Sequence, residues 1–170
     1  YALFRLQGPA SHHPVVLLNA FAQVLVVSTA EVLVCWALVA RGIEAALRRH
    51  GKAAAYLAAA AAASALFGLY HFAHSPPFDT WPMVALLGAV GLATSLFFFA
   101  SRDVAATVVF HNFLALYGVT QALAASGALA AYEAPRPALL AMAALALALL
   151  AAAYPWLRHA GTGTTRKGSV

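Results

Sequence analysis

Apolar residues run almost unbroken along this chain, and polar positions fall in short clusters between them. Five apolar segments emerge, at 14–40, 53–74, 82–100, 104–125 and 137–154. Each is close to the 17–25 residues a helix needs to cross a bilayer core. The interruptions are "HGK" at 50–52, "SPPFDTWP" at 75–82, "SRD" at 101–103 and "SGALAAYEAPRP" at 126–137. Backbone groups inside lipid must bond within their own segment, so lengths like these predict helices. The short alternating runs of barrel strands are missing. The pattern therefore predicts an all-α, polytopic transmembrane helical bundle. It forms one membrane-embedded domain over residues 1–157, followed by a disordered tail at 158–170.

Composition agrees with the pattern. The chain is 64% hydrophobic and 9% charged, against roughly 45–50% and about 25% in ordinary soluble domains. The net charge of +5 does not point to nucleic acid, because the basic residues lie in the links and form no stripe with aromatics. They serve instead as topology signals. Arg41, Arg48, Arg49, Lys52, Arg102, Arg158, Arg166 and Lys167 fall on one side, and only Arg5 and Arg136 on the other. Eight against two predicts that the larger group, and the C-terminus, face the cytoplasm. With one cysteine, Cys35, no intrachain disulfide is possible. An alanine-rich chain of this kind suits a bacterial plasma membrane, with membrane lipids as its surroundings. The chain opens on Tyr1 without a signal-peptide layout, which leaves room for a further helix upstream.

Within the predicted segments the ionisable groups that carry chemistry are Glu31, His71, His74 and His111. A charge at bilayer depth costs about 2.5–3.5 kcal/mol on insertion scales, so such residues normally mark a pathway, a pair or a site. The bland reading is that they only hold helices together through hydrogen bonds. Glu31 lies 20 residues before Gly51 and His71 lies 20 after it. In an antiparallel hairpin turning at "HGK" the two share a height, ~15 Å above Arg41 at 1.5 Å per residue. His111, nine residues beyond Arg102, reaches ~13 Å by the same rise. Phe67 is one turn before His71 on its helical face, and Cys35 one turn after Glu31.

These residues resemble the signatures of the CPBP membrane endopeptidases, the Abi or CAAX prenyl protease-like family. That family carries Glu-Glu-x-x-x-Arg, Phe-x-x-x-His and His-x-x-x-Asn/Asp on successive helices. "FGLYH" matches the second, with Phe67 and His71, "FHNFLALYG" resembles the third around His111, and "AEVLVCW" aligns Glu31 with the first glutamate. Val32, Trp36 and Ala115 stand where the second glutamate, the arginine and the third motif's amide or carboxylate belong. The resemblance implies a peptidase acting on membrane-associated or prenylated proteins or peptides, without a cofactor. Glu31 and His71 would activate a water, and His111 would stabilise the oxyanion. Phe67, His74 and Asn112 would support them, with Asn112 as a stand-in for the missing amide. Ala115 implies a slow or lapsed enzyme.

Other chemistries use the same residues. Glu31, His71, His74 and His111 are a possible zinc or iron set, although no His-Glu-x-x-His run is present. His71 and His111 also suit a haem or quinone carrier. Cys35 is a further candidate nucleophile, and no Gly-x-Ser-x-Gly occurs. A catalytically lapsed relative that binds partner helices or peptides, or serves as an immunity-type protein, is the non-enzymatic alternative.

Overall fold

The computed structural model describes Gly8, residues 10–74, Pro76 and residues 78–161, the last four without their side chains. Every element among the described residues is helical. The first is a single rod from Pro14 to His50. It consists of α1 (Pro14–Glu31), a π-helical stretch Val32–Ala40, α2 (Arg41–Leu47) and a closing 3-10 turn. Then come α3 (Lys52–Tyr70), which tightens into a 3-10 turn at His71–Ala73, α4 (Trp81–Ser101), α5 (Val104–Ala125) and α6 (Pro137–Gly161). Five helices are long and apolar enough to cross a membrane, in the places the hydrophobic pattern marks.

Local chemistry explains the ends. Gly51 turns the first hairpin at φ 106°, a left-handed conformation open to glycine and costly for other residues. Proline stands in the first turn of α1, α4 and α6 as Pro14, Pro82 and Pro137, where its missing N–H costs no helical bond. The Asp103 carboxylate caps α5 by accepting from the Ala106 N–H at 3.0 Å. The last helix outruns the expected end at 154 because Pro155 is accommodated inside it. Residues 162–170, which hold most of the expected tail, lie outside the described residues.

The bundle packs by small residues. Ala55, Ala59 and Ala63 recur every fourth position of α3 and are fully buried, so neighbouring helices approach closely. At Gly68 the approach is closest, since a Cβ there would lie 2.9 Å from the Val84 carbonyl oxygen. Around this seam Trp36, Phe67, Phe98, Val104 and Val108 form the apolar core. Leu38, Leu57, Leu86, Leu145 and Leu149 point outward, as expected where the solvent is lipid.

A polar network closes each end. At one, Glu44 is buried and takes Arg48 at 2.7 Å and Arg102 at 2.8 Å. Arg102 also donates to the Tyr56 hydroxyl. The Glu44 carboxylate beside it lifts the Arg102 guanidinium above its ordinary value. This network ties the closed end of the first hairpin to the α4–α5 turn. At the other end, fully buried Asn19 donates to the carbonyls of Tyr132 and Ala134 at 2.9 and 2.8 Å and accepts from the Arg136 N–H at 3.1 Å. One side chain thereby fixes the α5–α6 connection against α1.

Candidate active site

Glu31 is the last residue of α1, and the π-helix begins immediately after it. In a π-helix the N–H bonds five residues back, as Arg41 does to Trp36. Such turns occur often at functional sites. Nothing in "VLVCWALVA" announces the wide turn, as it contains neither glycine nor proline. The extra residue per turn carries Trp36 round toward the side Glu31 occupies. The Trp36 ring lies 5.2 Å from the ring of His111 and 5.5 Å from that of Phe67. Its indole N–H donates to the Ser95 hydroxyl at 2.8 Å. The position expected for arginine is thus a packed aromatic wall.

The structure brings Glu31, His71 and His111 together from three helices. His111 Nε2 lies 2.9 Å from Glu31 Oε2, and His71 Nε2 lies 3.9 Å from Glu31 Oε1. The Tyr70 hydroxyl donates to the same Oε1. Phe67 stands between the histidines, its ring edge-on to His71 at 4.8 Å and to His111 at 4.9 Å.

Hydrogen bonds fix the proton positions. His71 Nδ1 sits 2.6 Å from the Phe67 carbonyl, which only accepts, so Nδ1 carries the proton. Nε2 then presents its lone pair toward Glu31. A gap of 3.9 Å is too long for a direct hydrogen bond and is one that a water can bridge. On the other side, the Thr94 hydroxyl donates to the Val90 carbonyl at 2.9 Å. It therefore accepts from His111 Nδ1, 3.1 Å away. His111 Nε2 faces a carboxylate oxygen at 2.9 Å, so a proton lies between the two. An ion pair or a neutral pair of this kind is net uncharged, which lowers the cost of burying Glu31 at this depth.

The supporting residues divide. His74 is exposed and stacks on His71 at 5.0 Å between ring centres. Asn112 is buried with its Oδ1 unpartnered, and no hydrogen bond joins it to Glu31, His71 or His111. Ala115, one turn after His111, is half-buried and offers only a methyl group. Cys35 is buried in the apolar core. Among the described residues, no group of three or more His, Cys, Asp or Glu side chains is arranged to hold a metal ion. Tyr70, Thr94 and Ser95 carry no motif that marks them in the sequence. The available signal was a Thr-Ser pair midway along an otherwise apolar helix, and a tyrosine directly before His71.

The sequence model of the family described as Type II CAAX prenyl endopeptidase Rce1-like matches residues 12–117. The chain belongs to that family. The matched span runs from the start of α1 to the second half of α5 and holds Glu31, Phe67, His71 and His111. No curated protein and no solved structure matches the chain. Five spanning helices and membership of the Rce1-like family make it an integral membrane protein. The family is one of membrane proteases, and the matched span contains the Glu31–His71–His111 cluster.

Proposed function

We propose that the chain is an intramembrane endopeptidase that hydrolyses a peptide bond in a membrane-associated or prenylated protein. The observation that carries the reading is a buried carboxylate faced by two histidines with opposite proton arrangements. His71 offers Glu31 a lone pair across 3.9 Å, and His111 meets it through a proton at 2.9 Å. A water held between Glu31 Oε1 and His71 Nε2 gives its proton to Glu31 while its oxygen bonds to the scissile carbonyl carbon. The carbonyl oxygen becomes an oxyanion, which His111 stabilises. The C–N bond then breaks, and the leaving amine takes the proton from Glu31. The low-dielectric surroundings strengthen each of these electrostatic steps.

The basic end of the bundle, with Arg41, Arg48 and Arg102, is placed in the cytoplasm by the positive-inside rule. No cofactor takes part in this scheme. A second reading, a lapsed protease that binds peptides without cutting them, draws on Val32 and Trp36. Both are fully buried where the family's second glutamate and its arginine belong.

Purified protein in liposomes, offered prenylated and other membrane-anchored peptides, distinguishes the readings. Cleavage that survives chelators and falls at least about 10²-fold in Glu31→Ala, His71→Ala and His111→Ala supports the endopeptidase. Peptide binding without cleavage supports the lapsed relative. Cleavage untouched by all three changes removes this site.

A further inference from the structure

The family's third motif places a hydrogen-bonding side chain four residues after the histidine, and here that position is Ala115. Asn112 does not fill the gap, since no hydrogen bond links it to the cluster. A different donor already stands at the reacting atoms. The Tyr70 hydroxyl rests on Glu31 Oε1, the oxygen that also faces His71 Nε2. Its ring is held 4.3 Å from His71 and 6.0 Å from Phe67. Tyr70 closes α3 where the helix tightens into the 3-10 turn that carries His71.

Given the endopeptidase reading, we infer that Tyr70 is the second oxyanion donor, supplying what Ala115 lacks. Negative charge moves during the reaction. In the ion-paired form, the one competent for attack, it rests on Glu31, and both donors in the cluster, the Tyr70 O–H and His111, point at that carboxylate. When Glu31 takes the water's proton, the charge passes to the carbonyl oxygen of the substrate. The phenol keeps its proton throughout and turns its hydrogen bond from the neutralised carboxyl to the new anion. A phenol suits this role because it is neutral at working pH, with an ordinary pKa of about 10, and donates strongly without giving up its proton. Collapse of the intermediate returns the proton to the leaving amine and the Tyr70 bond to Glu31. The same contact explains how a chain without the third-motif donor keeps two donors within one side chain's reach of the attack site.

The test compares wild type, Tyr70→Phe, Ala115→Asn and the double variant in liposomes. Each is assayed for cleavage and for binding of a peptide aldehyde, whose hydrate mimics the tetrahedral intermediate. Tyr70→Phe keeps the ring and its packing. The expected result is a fall in kcat of about 10²–10³ with KM nearly unchanged, the cost of one oxyanion donor. Aldehyde affinity should fall by a similar factor, while an uncleaved amide analogue still binds as in wild type. Ala115→Asn should restore much of the loss in the Tyr70→Phe background. Tyr70→Phe with unchanged kcat and aldehyde affinity, or with only KM raised, overturns the assignment. Cleavage abolished by Glu31→Gln but intact in Tyr70→Phe removes this inference alone. A wild type that neither cleaves peptides nor prefers the aldehyde to the amide removes the endopeptidase reading and this inference with it.

Discussion

Single protons decide what the cluster can do. Thr94 settles one of them, because its hydroxyl is committed to the Val90 carbonyl and can only accept from His111 Nδ1. Thr94→Val removes that acceptor and frees His111 to adopt the other tautomer. A neutral hydrogen bond is worth about 1 kcal/mol net, so kcat should fall roughly five- to tenfold. Thr94→Ser, which keeps the hydroxyl, should restore it. Equal loss in both variants would assign Thr94 to packing alone. Glu31, His71 and His111 are visible in sequence because an ionisable group in an apolar run stands out by its desolvation cost. Thr94 and Tyr70 are not, as a hydroxyl is common in transmembrane helices and its role depends on which neighbour it meets. Trp36 reads as a departure from the motif, and only the π-helix shows where its ring goes.

Helices emerge from the pattern because the bilayer sets their length and forces internal hydrogen bonding. Their ends differ by a few residues, and the causes are local: Gly51 allows the hairpin, the 3-10 turn shortens α3 at Tyr70, and α6 runs through Pro155. The close α3–α4 seam was not legible, since it rests on which glycines face which carbonyls. Those glycines give a paired prediction. A Cβ on Gly68 would sit 2.9 Å from the Val84 oxygen and 3.2 Å from the Gly88 Cα, both rigid backbone. On Gly88 it would meet nothing nearer than the Ser64 oxygen at 3.9 Å. Gly68→Ala should therefore destabilise the protein by about 1–3 kcal/mol, the usual cost of overpacking. Gly88→Ala should be close to neutral or slightly stabilising, since alanine favours the helix. Thermal or denaturant unfolding in detergent checks the pair, and equal effects would mean the helices are not held at this distance.

Across the whole molecule, the buried cluster gives one centre, and the charge asymmetry predicts one orientation. The network of Glu44, Arg48, Arg102 and Tyr56 and the one around Asn19 lie at opposite ends, with Glu31, His71 and His111 between them. Cysteines placed at Arg49 and at Ala131, in a background with Cys35 replaced by alanine, should label from opposite faces. Position 49 should be reached from the cytoplasm and position 131 from outside, and the reverse result would invert the topology. In the proposed mechanism Glu31 is the base of a peptide hydrolysis at this centre. The most direct measurement is kcat for a membrane-anchored peptide with wild type and Glu31→Gln, which keeps the side chain's shape but cannot take the water's proton. The expected result is a fall of about 10²–10⁴, the usual contribution of a positioned base, with peptide binding retained. Undiminished cleavage by Glu31→Gln would contradict it.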